Sequence, residues 1–171
     1  AIDIPARLAE LAAYLKEETE RLGLPMPRFL MEPGRSIVAD AGMTLYTVGS
    51  VKRIPGYKQY AAVDGGMTDN PRYALYQSRY TVYHAHKSGS LERFDVVGRC
   101  CESGDIIQPG VELPGDTCRG DILAVCTTGA YNYSMASNYN RLPRPAVVML
   151  TPDRIYEAVR RETFADLTAL D

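Results

Sequence analysis

A chain of 171 residues, 46% hydrophobic and 23% charged, with a formal net charge of -2, has about one globular domain's length and no electrostatic reason to take nucleic acid or an anionic membrane as partner. Its longest apolar runs, such as Val147 to Leu150, fall far short of the roughly 20 residues needed to span a bilayer. Residues 1 to 25 carry no basic segment followed by an apolar core, so no secretory signal is expected. The opening Ala1-Ile2-Asp3-Ile4-Pro5 has no methionine and reads as a start partway through a larger protein. The four cysteines, Cys100, Cys101, Cys118 and Cys126, form no C-x-x-C pair. Adjacent cysteines on a strand point to opposite sides, which is poor geometry for one tetrahedral zinc. A reduced cytoplasmic protein is the expectation.

Residues 4 to 22 carry a helical stripe of Leu8, Leu11, Ala12, Leu15 and Leu22, with Asp3 as a candidate cap, Pro5 in the first turn and Gly23 at the stop. The short apolar run Phe29-Leu30-Met31 predicts a strand, and Glu32-Pro33-Gly34-Arg35 follows as a loop, with a helix starting at Ser36. From residue 43 the period changes. Strands are predicted over 43–54, 60–63, 78–84, 94–97 and 121–127, punctuated by the turns Pro55-Gly56, Asp64-Gly65-Gly66 and Pro109-Gly110. Many short strands with such punctuation indicate a β-sandwich or barrel. The tail predicts a strand over 147–150, a turn at 151–153, a returning strand over 154–161 and a short helix over 164–170. The fold class is therefore mainly β with some α, with a boundary near residues 35 to 43.

Four segments carry chemistry. In Glu32-Pro33-Gly34-Arg35 a glycine allows backbone N–H groups to approach an anion and Arg35 adds a bidentate donor; taken alone, the tetrapeptide also fits a plain turn. Arg72 and Tyr76 are four apart, so one helical turn places both on one face, where they could clamp a carboxylate or simply lie on the surface. Cys101-Glu102 sets a thiol beside a carboxylate in a loop. Residues 129–140 are dense in tyrosine and small polar groups, and a tyrosine hydroxyl can bond a phosphate while its ring packs. His84 and His86 share a strand face but have no third convergent ligand, so no metal is expected.

In order and spacing these segments resemble the diaminopimelate decarboxylases, of the fold shared with alanine racemase and the ornithine and arginine decarboxylases. The resemblance rests on EPGR at 32–35 with SIVADAG after it, VDGGMTDNPRYALY at 63–76, CESGD at 101–105, GAYNYSMASNYNRLPRPA at 129–146 and RRETFADLTALD at 160–171. It implies a C-terminal β domain of a pyridoxal-phosphate decarboxylase of fold type III over residues 36–171. Residues 1–35 would be the last helix and strand of a (β/α)8 barrel. The implied reaction converts meso-2,6-diaminopimelate to L-lysine and CO2, with pyridoxal 5'-phosphate as the electron sink. By the same resemblance, Glu32, Pro33, Gly34, Arg35 and Tyr131 hold the cofactor. Arg35, Arg72, Tyr76, Glu102 and Tyr131 hold the substrate. Cys101, which directly precedes Glu102, is the proton donor in preference to Cys100. The Cys-Glu loop would enter the partner's site of a two-fold homodimer. None of Lys16, Lys52, Lys58 and Lys87 lies in the family's cofactor-lysine motif, so the segment alone is expected to be inactive. Other expectations from the same residues are a decarboxylase of this fold with a related substrate, or a dimerisation or binding module.

Overall fold

The computed structural model describes residues 3–171. Helix α1 spans Ile4–Arg21; the Asp3 carboxylate accepts from Ala6 N at 3.0 Å, and Gly23 ends it at a left-handed φ of 64°. No residue of α1 is buried, and Leu8 on its apolar stripe is exposed. The strand predicted over Phe29 to Met31 does not form, and all three side chains are exposed. An apolar run becomes a strand only where a neighbouring backbone supplies the ladder, and none of the described residues does so. Helix α2, Arg35–Val38, starts one residue earlier than expected, with Gly34 at its N-cap.

The core is a six-stranded sheet of β1 (Met43–Ile54), β2 (Lys58–Val63), β3 (Val82–His84), β4 (Leu91–Val97), β5 (Ile106–Pro114) and β6 (Ile122–Cys126) in the order β3-β6-β1-β2-β4-β5. The long β1 strand pairs with β6 through residues 43–47 and with β2 through residues 48–54, so it serves both halves of the sheet. All pairs are antiparallel except β2 with β4. The sheet curls until its edges nearly meet: Tyr80 N, just before β3, donates to Gln108 Oε1 on β5 at 2.8 Å. That bond ties residue 80 to a side chain instead of a ladder, which is one reason β3 is shorter than the predicted 78–84. Tyr46, Val48, Ala61, Val63, Phe94, Val96, Ile107, Leu113, Leu123 and Val125 fill the interior. On β6 the alternation is direct, with Leu123 and Val125 inward and their neighbours only partly buried.

Pro109-Gly110 is not a turn but part of β5. Phe94 opposes Val111 and Val96 opposes Gln108, so β5 carries one extra residue there, and Gly110 has φ 67°. This is a β-bulge, whose left-handed residue favours glycine. Asp95 Oδ1 receives Gly110 N at 2.8 Å and satisfies a donor that the bulge removes from the ladder.

Strands β7 (Val147–Leu150) and β8 (Ile155–Val159) form a separate hairpin, followed by α4, Phe164–Leu167. Glu162 links this tail to residues 138–144: it accepts from Arg144 N and Nε at 2.8 and 2.7 Å and from Asn138 Nδ2 at 2.6 Å. The Arg144 guanidinium, with these N–H donors, holds its carboxyl down at about 2.

Replacing Phe94, which is fully buried, by Ala should destabilise the domain by about 3–5 kcal/mol in urea unfolding, through lost burial and a residual cavity. A glutamate lowered in the folded state contributes stability above its unfolded value of about 4.3, and that contribution is lost as pH falls. The window for Glu162 therefore runs from there down to about 2, and an NMR titration of its carboxyl carbon should show the low midpoint.

Candidate functional site

All four chemical segments meet in pairs, and one carboxylate ties two of them at their bases. Asp105, at the end of the cysteine loop, is 5% exposed. It accepts from Met67 N and from Cys100 N, each at 2.6 Å. A Cβ on Gly66 would fall 2.6 Å from its Oδ1, so the glycine is what lets the 64–70 loop come this close. Arg99 N also donates to Gly65 O at 3.1 Å, and Ser137 N to Thr68 O at 2.8 Å. Beneath the same loop, Asp69 takes the Tyr46 hydroxyl and Gly66 N. Burial pushes both the Asp69 carboxyl and the Tyr46 hydroxyl up from their ordinary values, and for Tyr46 the neighbouring Asp69 adds to the rise.

On this base stands α3, Arg72–Tyr76, ended by Gln77 at φ 56°. The one-turn spacing puts Arg72 over the Tyr76 ring at 4.9 Å, and the same guanidinium lies 5.0 Å from the Tyr131 ring. Its Nη1 reaches Met135 Sδ at 3.6 Å, while its Nε is buried with no partner. Tyr131 adopts φ 71°, uncommon for a residue with a Cβ. Its carbonyl accepts from Met135 N at 2.8 Å and Ser134 Oγ at 2.9 Å, which hold that turn. A Cβ placed on Gly34 would lie 2.7 Å from Tyr131 Oη, so the hydroxyl sits directly over the glycine of the 32–35 loop. Gly34, Arg72, Tyr76 and Tyr131 thus form one cluster. Glu32, Pro33 and Arg35 flank it in sequence on an exposed segment.

Cys101 and Glu102 lie in a different place. Cys101 N donates to Asn140 Oδ1 at 3.0 Å, and Tyr139 Oη approaches Glu102 Oε2 at 3.4 Å. Gly104 N and the Ser103 hydroxyl, each 3.3 Å from Glu102 Oε1, lower that carboxyl from its ordinary value. Among the described residues, none of these bonds reaches Arg72, Tyr76 or Tyr131. The two halves of the candidate site are thus linked through Asp105 at their bases and not by bonds between these side chains. The neighbouring thiols also differ: burial first, then the Asp105 charge, pushes Cys100 up to about 11, whereas Cys101 is exposed.

Sequence reasoning did not single out Asp105, Met135, Tyr139 or Asn140. All four lie inside quoted motifs, but only the folded loops reveal their contacts. His84 is occupied structurally: its Nδ1 accepts from His86 N and Lys87 N, and its Nε2 lies 3.1 Å from Asp121 Oδ2 without in-line hydrogen-bond geometry. No group of three metal-ligating side chains converges among the described residues.

The cluster suits the phosphate of a pyridoxal cofactor. An anion needs N–H and O–H donors, and the arrangement offers a tyrosine hydroxyl and an approach over a residue without Cβ.

Comparison with known proteins gives a consistent picture. A family model described as pyridoxal-dependent decarboxylase, C-terminal sheet domain, matches residues 16–129. The chain is 51% identical over 159 residues to the diaminopimelate decarboxylase of Bacillus subtilis (strain 168), covering 92% of this chain and 36% of that protein. It is 40% identical over 169 residues to the enzyme of the same name from Staphylococcus aureus (strain COL), covering 98% and 40%. Among solved structures, the diaminopimelate decarboxylase of Helicobacter pylori in complex with L-lysine superposes with a TM-score of 0.75 at 37% identity, over 81% of this chain and 34% of that one. The chain therefore spans well under half the length of the relatives it matches.

Iodoacetamide at pH 8 should label Cys101 well before Cys100, since the thiolate is the nucleophile, and the rate at Cys100 should climb about tenfold per pH unit toward pH 11. Peptide mass spectrometry reads both sites. Equal labelling at pH 8 would contradict the inward placement of Cys100.

Proposed function

The chain belongs to the pyridoxal-dependent decarboxylase family, and from that premise we propose that it is the C-terminal part of an enzyme that converts meso-2,6-diaminopimelate to L-lysine and CO2. The observation that carries this reading is the approach of the Arg72 guanidinium to both the Tyr76 and Tyr131 rings, with the Tyr131 hydroxyl over Gly34. It draws a cationic clamp and a phosphate-type cradle from loops nearly 100 residues apart into one place. The agreement of the named relatives on diaminopimelate supports the choice of substrate.

Pyridoxal 5'-phosphate, when bound, supplies the sink for the electrons that remain as CO2 leaves. The chain's own groups bind and orient. Glu32, Pro33, Gly34 and Arg35 form the phosphate end with Tyr131. Arg72, Tyr76 and Arg35 grip carboxylate of the substrate by charge and by the tyrosine hydroxyl. Glu102, kept ionised by its loop N–H groups, accepts from the distal ammonium. The Cys101 thiol delivers the proton that takes the place of CO2.

The separation of the Cys101–Glu102 loop from the Arg72 cluster fits a homodimer in which each subunit lends this loop to its partner's site. The exposed apolar stripe of α1 and the exposed Phe29 to Met31 fit residues 1–35 being the last helix and strand of a (β/α)8 barrel, covered by the barrel's remainder. The strand of that pair would form only on such pairing. No described helix is long and apolar enough to cross a membrane.

In the full-length enzyme, Cys101→Ala should lower kcat by about 100-fold or more, the scale of a positioned proton donor. Cys100→Ala should leave kcat within a few-fold. The reverse pattern in steady-state kinetics would transfer the donor role to Cys100. Arg72→Gln should act mainly on KM for diaminopimelate.

A further inference from the structure

Between the β1–β2 turn and the β4–β5 ladder lies a surface cavity of about 810 Å³, and none of Gly34, Arg72, Tyr131 or Cys101 lines it. Its chemistry is set by the bulge in β5. The Arg93 guanidinium meets Gly110 edge-on: a Cβ there would fall 2.7 Å from Nη2, 2.9 Å from Nε and 3.2 Å from Cζ. Among the described residues the Arg93 guanidinium has no hydrogen-bond or ion-pair partner, and it borders the cavity. A second guanidinium, that of Arg53, borders it too; one Nη donates to Gly115 O at 2.7 Å and the group lies 5.6 Å from the Phe94 ring, which fixes its position and leaves further donors.

One nearby carboxylate is already matched. Asp95 Oδ2 takes Lys58 Nζ at 2.6 Å, and Oδ1 takes Gly110 N, so this buried carboxylate has both oxygens engaged and its charge matched. Glu92 accepts from Gln59 Nε2 and Glu112 opposes Arg93 in the ladder, but among the described residues neither makes an ion pair with Arg53 or Arg93. The other walls, from Ile54, Pro55, Tyr57 and Pro109, are largely apolar, and Tyr57 is 71% exposed. Guanidinium forks match carboxylates bidentately, while apolar walls favour a ligand with a carbon body over a bare inorganic anion. The volume lies within the roughly 300–1,000 Å³ of small-molecule sites.

We propose that this cavity binds a small organic carboxylate, gripped by Arg93 and Arg53 and packed by Tyr57, Ile54 and Pro109. The site is separate from the decarboxylase machinery and does not depend on the assignment of that reaction. It needs no cofactor, and binding is read without turnover.

The test is an NMR titration of the protein with succinate at constant ionic strength, following the Nε–Hε signals of Arg53 and Arg93. Saturable shifts at both side chains are expected. Binding should weaken about tenfold or more in Arg93→Gln, which removes one charge-assisted bidentate pair. Inorganic phosphate at matched ionic strength should bind at least about tenfold less well than succinate, because it lacks the apolar body. Arg53→Gln provides a second variant should Arg93→Gln fail to fold. Shifts that grow linearly without saturation, variants that bind as the parent does, or phosphate equal to succinate would each overturn the proposal.

Discussion

The carboxylate of Asp105 is the junction on which the candidate site rests. Its two oxygens accept one backbone N–H from the 64–70 loop and one from the cysteine loop, in an almost fully buried position. Each of those N–H groups would otherwise be an unmet donor, at a cost of about 1–3 kcal/mol when buried. Through this one residue the loop that launches Arg72 and the loop that carries Cys101 are held at fixed separation. Gly66 is part of the same device, since any side chain there would strike the carboxylate.

Around that junction the sheet acts as a rigid mount. β1 pairs with β6 over its first half and β2 over its second, so the loops that leave β2 and β6 are referred to the same strand. The loop after β2 leads to Arg72, and the loop after β6 leads to Tyr131. Their meeting across the Arg72 guanidinium follows from this shared strand. The contact of Tyr80 N with Gln108 closes the curl and packs β3 against β5 at the far edge. Loops that carry chemistry on a stiff sheet keep their geometry better than loops joined to one another alone.

Much of this was legible beforehand where the signal is local. The α1 helix follows from its leucine spacing and its Asp3 cap, and β6 from the short strand-like run at 121–127. The tail hairpin follows from Thr151-Pro152-Asp153 between two apolar runs. The readings that failed needed a partner to be right. Pro109-Gly110 has the composition of a turn, yet Asp95, fifteen residues earlier, accepts Gly110 N and lets the strand continue through a bulge. Phe29 to Met31 has the composition of a strand, yet no described segment pairs with it.

The sequence by itself determined which side chains are available: an arginine and tyrosine one turn apart, a glycine after Glu-Pro, a tyrosine after Gly-Ala, and a thiol next to a carboxylate. It also determined the elements whose periodicity is self-contained, because a helix stripe or a strand alternation is written in neighbouring residues. Only the tertiary structure decided that Arg72 approaches both Tyr76 and Tyr131, that Tyr131 covers Gly34, and that Cys101 faces Asn140 and not Arg72. Those are contacts between residues far apart in the chain. They depend on how much the sheet curls and on where a single buried carboxylate finds its donors, and no local pattern encodes either quantity.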